Sequence, residues 1–309
     1  MKYHKLGKTD FNISEITFGC WELGGEKWEK TSDEENIKVL RTALDSGINI
    51  FDTAVNYGNG HSEKVVGLAL NERRKECIIA TKVKPENLKP SDVRIPCEES
   101  LKRLKTDYID VLYIHWPNKE IPLKDTLSEF NKLKDEKLIK SIGVSNFSIE
   151  QLKEAAIYSQ IDVLQLEYSL LQRGLEDEIM PYCIENSIGL TSYSSIAKGI
   201  LTGVYHLGIL NLKSEDFRST RRLFLPDHLE KEKELIYLIK EIAEAKNIEM
   251  SQVAVSWLLH QKGLSSAIVG TQSIKHLLEN IKAAEIELTK QELDILDKTS
   301  KRVLKEIDG

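Results

Sequence analysis

The chain is poor in the features that mark most specialised protein classes. Its 309 residues include four cysteines, Cys20, Cys77, Cys97 and Cys183, widely spaced and with no CxxC pair. That pattern excludes a disulfide framework or a zinc ribbon and leaves the thiols as small, reduced hydrophobes. No apolar run approaches the ~18 residues of a membrane span, and the opening MKYHKLGKTDFNIS lacks the apolar centre of a signal peptide. Neither sign of charge dominates: 43 Lys and Arg against 49 Asp and Glu give a net charge of −6. No basic stripe is therefore available for nucleic acid or an anionic membrane. The seven histidines show neither HxH nor HExxH spacing, so no metal site is expected. Nucleotide fingerprints are missing too. Gly58-Asn59-Gly60 meets its next glycine only at Gly67, and Gly7-Lys8-Thr9 is preceded by Lys2 where a phosphate loop needs glycine. What remains is the expectation of a cytoplasmic enzyme acting on small molecules, with the choice between monomer and homo-oligomer left open.

What the chain does contain is a regular alternation. After a segment from Tyr3 to Ile13 that reads as a hairpin turning at Lys8-Thr9-Asp10, short runs rich in Ile and Val begin near Ile16, Ile48, Cys77, Val111, Ile139, Val163, Gly189 and Ser265. These are too short for ordinary helices and read as buried strands. Amphipathic helical patterns fill the gaps. The first, SDEENIKVLRTALDSG, has a capping box at Ser32 and Glu35, apolar Ile37, Leu40 and Leu44 on one face, and Gly47 as its stop. Others follow at Ser62 to Leu70, Glu98 to Leu104, Leu123 to Leu138, Ser148 to Tyr158 and Leu175 to Ile184. Strand starts roughly 25 to 35 residues apart with a helix between them describe repeated βαβ units. Eight units close into a (β/α)8 TIM barrel, and residues 1–309 are expected to form one domain with a short N-terminal hairpin and a C-terminal packing helix capped at Thr289 and Glu292. Between strands seven and eight, Gly199 to Glu230 is long and polar before helical periodicity resumes at Lys231. Loops of that length are commonly functional.

Three strands end on polar residues that a buried strand tolerates poorly. INIFDTA delivers Asp52, CIIATKV delivers Lys82 and VLYIHW delivers His115, with Tyr57 a few residues beyond the first. Desolvating a lone carboxylate or ammonium costs several kcal/mol, so such charges are paired or put to use. The C-terminal mouth of a parallel barrel is where active sites sit, and all four residues fall there. A structural Asp52–Lys82 ion pair beside an unrelated tyrosine and an ordinary core histidine is the competing reading.

Several motifs around these residues resemble the aldo-keto reductase superfamily over nearly the whole chain. FDTAVNYGNGHSEKVVGLAL is similar to the segment carrying that family's catalytic Asp and Tyr, and ATK and YIHWPN to those supplying its Lys and His. GVSNF, QLEYS, SYSSIAKGILTG and IVGTQSIKHLLENI follow in the order of the family's cofactor segments. The resemblance implies reversible NAD(P)H-dependent reduction of a small aldehyde or ketone, with a catalytic tetrad of Asp52, Tyr57, Lys82 and His115. The chemistry is coherent on its own terms. Tyrosine, with a pKa of about 10, is a weak acid for protonating a carbonyl oxygen; a neighbouring Lys82 held charged by Asp52 would lower that pKa. That His115 orients the substrate oxygen is implied by the resemblance alone.

By the same resemblance, Ser145, Asn146 and Gln165 would bind the nicotinamide carboxamide and Tyr193 would stack on its ring. Ser194 and Ile196 would hold the pyrophosphate. Gly270, Thr271 and Ser273, at a helix start suited to anions, would take the adenosine phosphate, and Glu279 and Asn280 would meet adenine. Gln272 and His276 stand where many members place Lys or Arg against the 2′-phosphate, with Lys275 the nearest fixed charge. NADP(H) is expected on family grounds, with NAD(H) the alternative. Arg218, Arg221 and Arg222 either close over the phosphates or form a solvated cluster. Trp21, beside the cofactor, and Trp116 form an apolar substrate wall together with Tyr57 and His115, or else are rim packing. A regulatory nicotinamide-binding subunit with little turnover, like the family's channel-associated members, is the alternative function.

Overall fold

The computed structural model describes residues 1–26 and 31–309. Strands β3 (Ile16–Gly19), β4 (Ile50–Asp52), β5 (Ile78–Val83), β6 (Ile109–Ile114), β7 (Ile139–Ser145), β8 (Val163–Glu167), β9 (Gly189–Tyr193) and β10 (Leu264–Gly270) close into an all-parallel barrel. β10 pairs with both β3 and β9, which removes every free edge. The barrel is the expected (β/α)8 architecture.

Two further strands precede it. β1 (Tyr3–Lys5) and β2 (Asn12–Ser14) pair antiparallel as the anticipated hairpin. Its turn is closed by Leu6 and Phe11 backbone groups and by the Thr9 hydroxyl, which donates to the Leu6 carbonyl. Leu6 and Ile13 pack with Ile50, Ala80, Val111, Tyr113 and Val163, the inward-facing residues of four strands, so the hairpin plugs one end of the barrel. The larger apolar layer lies outside, between strands and helices.

That outer layer is built by α1 (Asp33–Asp45), α2 (His61–Leu70), α3 (Pro90–Leu104), α4 (Leu123–Asp135), α5 (Ile149–Tyr158), α6 (Ile179–Asn186), α7 (Pro226–Lys246), α8 (Met250–Leu259), α9 (Ile274–Lys282) and α10 (Lys290–Asp308). The capping boxes at Ser32 with Glu35 and Thr289 with Glu292 form as read. Some boundaries differ. α3 starts at Pro90 rather than Glu98, since proline suits a first helical position, and it absorbs Pro96 within its length. α7 likewise begins on Pro226, so the long loop is shorter than its polar composition implies and carries a 3-10 turn at Arg222–Phe224. Asn247, in a left-handed conformation, separates α7 from α8. None of the helices among the described residues is long and apolar enough to cross a membrane.

One close approach fixes the inner core. The Tyr113 ring lies against Gly143 of the neighbouring strand, where an added methyl would stand 2.4 Å from a ring carbon. Overpacking a well-filled core costs about 1–3 kcal/mol. Gly143→Ala is therefore expected to lower unfolding free energy by about that amount in urea titration, whereas an unperturbed midpoint would show that the ring moves freely.

Candidate active site

Strand alternation explains why the polar groups converge. Ile50, Ala80, Tyr113 and Val163 face inward, and two residues further along the same strands that face presents Asp52, Lys82, His115 and Gln165. An apolar plug is thus topped by a polar layer at the C-terminal mouth. Lys82 is 1% exposed and Asp52 4%, so the pair is held in a desolvated setting where it needs full partnering. It has it. Lys82 Nζ donates to Asp52 Oδ2 at 2.7 Å and to the Thr53 carbonyl at 2.9 Å, while Gln165 Nε2 donates to Asp52 Oδ1 at 2.8 Å.

Tyr57 reaches this pair from the loop after β4. Its hydroxyl accepts from Lys82 Nζ at 3.4 Å, and the ammonium also lies 5.1 Å from the Tyr57 ring centre. The His115 ring meets the Tyr57 ring edge-on at 6.2 Å, with its backbone N–H held by the Val83 carbonyl at 3.0 Å. The four expected residues are therefore one cluster.

Burial and close charged neighbours compete in setting their electrostatics. Burial disfavours the Lys82 ammonium, yet Asp52 and Tyr57 outweigh it and hold the pKa above the usual lysine value. For Tyr57, burial pushes the pKa up more than Lys82 pulls it down. Lys82 acts in the direction expected from the sequence, but the net shift is upward, because removal from water outweighs it. Tyr57 is consequently a phenol with its proton in place at neutral pH. Burial, aided by Lys82, lowers His115 to about 3, so its imidazole is neutral. Among the described residues, no hydrogen-bond partner meets the buried His115 Nδ1.

Around the tetrad, the strand-end residues form a second ring. Asn146, left-handed at φ 63°, donates to the His115 carbonyl at 2.9 Å and to Ser145 Oγ at 3.0 Å, and its Oδ1 accepts from the Tyr193 hydroxyl at 2.7 Å. Gln165 has its amide nitrogen committed to Asp52, a role the sequence did not suggest. Ser194, Ala197 and Lys198 all adopt positive φ ahead of Gly199, folding the chain sharply beside Ile196 at the mouth. Ser273 caps α9 by accepting from the His276 N–H. Gly270 and Thr271 lead into that cap, where Thr271 Oγ1 accepts from the Ser273 N–H at 3.0 Å. Gln272 Nε2 bonds the Glu22 carbonyl and Thr31 Oγ1 at 3.0 and 2.8 Å. Further along α9, Glu279 lies 3.7 Å from Lys275, and Asn280 is buried.

Several participants were not anticipated. Phe217, from the long loop, meets Trp21 edge-on at 5.5 Å, and Trp21 lies 6.3 Å from Tyr57 between ring centres. Trp116, by contrast, is 49% exposed. Lys198 bridges Glu167 Oε1 at 2.5 Å and Ser194 Oγ at 2.9 Å. Burial raises Glu22, which faces Arg218 and lies against Gly270, to about 7. Of the three loop arginines, Arg218 pairs with Asp216 and reaches the Lys198 carbonyl, whereas Arg222 pairs with Asp308 of α10. Arg222 is thus tied to the C-terminal helix. The cysteines are free and buried, and burial raises Cys77 to about 11 and Cys97 and Cys183 to about 12.

A parallel barrel whose mouth holds a charged lysine under a protonated phenol, beside a neutral imidazole, has groups able to donate and hold a proton at the place where such barrels carry active sites. The chain belongs to the aldo/keto reductase family, whose profile matches residues 15–301, and it is an NAD(P)-dependent oxidoreductase. It is similar to the aldo-keto reductase YhdN of Bacillus subtilis, at 32% identity over 88% of this chain and 85% of that one. Among solved structures it resembles the glycerol dehydrogenase AKR11B4 of Gluconobacter oxydans, with a TM-score of 0.89 and 28% identity over 98% and 96% of the two chains. It also resembles a Klebsiella pneumoniae aldo/keto reductase in complex with NADP and acetate, with a TM-score of 0.78 and 27% identity over 96% and 95%.

Removing one partner of a buried ion pair strands the other charge, at a cost of about 3–5 kcal/mol. Lys82→Met is expected to lose that much stability in chemical denaturation. Adding Asp52→Asn should restore a large part of it, and a double variant no more stable than the single one would contradict this reading of the pair.

Proposed function

We propose that the protein is an NADPH-dependent reductase of small aldehydes or ketones in which Tyr57 gives the proton to the carbonyl oxygen. The carrying observation is that one ammonium, Lys82 Nζ, touches both Asp52 and the Tyr57 hydroxyl. Asp52 keeps Lys82 charged, and as the proton leaves Tyr57 the lysine faces the developing phenolate. A preorganised charge of this kind lowers the barrier without reorganisation during the reaction. His115, neutral throughout the physiological range, orients the carbonyl oxygen. Trp21 and Phe217 supply an apolar wall on one side of Tyr57, and Trp116 forms an outer rim.

The residues at the mouth fit a nicotinamide dinucleotide. Asn146 and Ser145 offer polar groups at the end of β7, Tyr193 an aromatic face, and the segment from Ser194 to Gly199 a sharply turned backbone. The capped start of α9 is suited to a phosphate. When bound, the nicotinamide supplies the hydride that complements the Tyr57 proton. The K. pneumoniae relative's complex with NADP favours NADP(H) as the cofactor. NAD(H) is the second reading, carried by Gln272, which is neutral and bonded to Glu22 and Thr31. The reaction is reversible, so the corresponding alcohol is oxidised by the same groups.

Tyr57→Phe removes only the proton donor. Reduction should fall about 10²- to 10⁴-fold, the usual contribution of a positioned acid, with NADPH binding by fluorescence titration retained. A rate equal to the native one would discard Tyr57 as the donor.

A second prediction concerns pH. Glu22 gains its negative charge as pH rises through about 7, beside the segment proposed to hold the cofactor phosphates. NADPH affinity should therefore weaken about three- to tenfold from pH 6 to pH 8, consistent with one partly screened charge pair. Glu22→Gln should flatten that dependence; an identical pH dependence in the variant would remove Glu22 from the site.

A further inference from the structure

The Tyr57–Lys82 contact, at 3.4 Å, lies at the long end of hydrogen-bond geometry, so a few tenths of an ångström decide how strongly the lysine acts on the phenol. The first turn of α2 follows directly on the Tyr57 loop. Ser62 and Glu63, both fully buried, reach from this turn to the residues flanking Asp52 and Lys82.

Ser62 Oγ donates to the Cys20 carbonyl at 2.7 Å and lies 2.8 Å from Thr53 Oγ1, and the Thr53 carbonyl is itself a partner of Lys82 Nζ. Glu63 Oε1 accepts from Thr81 Oγ1 at 2.6 Å, Thr81 being the residue before Lys82. Strand alternation places Thr81 on the outer face when Lys82 points inward, so the carboxylate grips the strand from behind the lysine. Glu63 Oε2 accepts from Arg103 Nε of α3 at 2.6 Å, and Arg103 Nη2 donates to Ser100 Oγ at 3.1 Å. The same guanidinium stem backs the catalytic loop. Gly60, at φ 85°, lies so close that an added methyl would stand 2.7 Å from Arg103 Cδ and Nε.

We propose that Glu63, with Arg103 and Thr81, is a positioning residue of the reduction: the clamp ties the Tyr57 loop to the Lys82 strand and fixes the distance between the two catalytic groups. A buried ion pair that merely joined α2 to α3 would need Glu63 and Arg103 alone. The bond to Thr81 and the contact behind Gly60 direct the clamp at the two segments that must keep register. The proposal rests on the reading of Tyr57 as proton donor.

The test is a double-mutant cycle between the clamp and Tyr57. Thr81→Val keeps the side-chain shape and removes the hydroxyl. In otherwise native protein it should lower kcat about ten- to hundredfold, as small misplacements of reacting groups do, with NADPH affinity unchanged and Thr81→Ser restoring the rate. In the Tyr57→Phe background the same change should alter the residual rate by about twofold or less, since coupled residues lose additivity. Arg103→Gln, at a site 17% exposed, should show the same coupling and covers the case in which Thr81→Val does not fold. Equal slowing in both backgrounds, or no slowing in either variant, overturns the clamp. If Tyr57→Phe alone leaves the rate untouched, it is the proton-donor reading that fails, and that result is distinct.

Discussion

Everything at the mouth of this barrel depends on one desolvated ion pair, Lys82 with Asp52. An ammonium almost wholly removed from water is tolerated only with its donors matched, and here the Asp52 carboxylate, the Thr53 carbonyl and the Tyr57 hydroxyl supply the partners. The closed parallel sheet makes that matching available. β4, β5 and β6 run side by side and parallel, with Asp52 opposite Ala80 and Lys82 opposite Tyr113, so Asp52 and Lys82 both lie at the ends of neighbouring strands on the inward face, where Lys82 Nζ reaches Asp52. The hairpin plug beneath, through Leu6 and Ile13, denies water an approach from the other end.

From that pair the protonation states of the site follow. Lys82 stays charged because its interactions with Asp52 and Tyr57 outweigh burial, His115 stays neutral because burial and Lys82 act in the same direction, and Tyr57 keeps its proton because burial outweighs Lys82. A single cation therefore faces a neutral donor and a neutral hydrogen-bonding ring. Glu22 stands apart, as a carboxyl beside Gly270 whose charge changes near neutrality.

Much of this was readable from residue patterns because strand ends are marked by abrupt changes of polarity. Asp52, Lys82 and His115 close apolar runs, and counting those runs implied the barrel that gathers them. Ser32, Glu35, Thr289 and Glu292 announced helix starts through local capping chemistry. Other features depend on contacts far apart in sequence. Nothing near Phe217 indicates that its ring meets Trp21, and nothing near Gln165 shows its amide turned to Asp52, 113 residues away. Lys198 and Glu167 meet only because β8 and β9 are neighbours. The downward pull of Lys82 on Tyr57 is legible in sequence, but the net upward shift is not, because charge neighbours follow from motifs whereas the degree of burial arises from the whole packed mouth. Pro90 and Pro226 concealed two helix starts, each placed in the structure where proline is well suited.

The measurement that bears most directly on this arrangement is a pH titration of Tyr57 by carbon-13 NMR of ring-labelled protein, with Tyr57→Phe used to assign the signal. The structure predicts a phenol that keeps its proton beyond the ordinary tyrosine value of 10.0 and deprotonates at still higher pH when Lys82 is replaced by Met. A phenolate near neutral pH would contradict the claim that burial outweighs Lys82 at this phenol, and a titration indifferent to the loss of Lys82 would contradict the claim that the lysine acts on it at all.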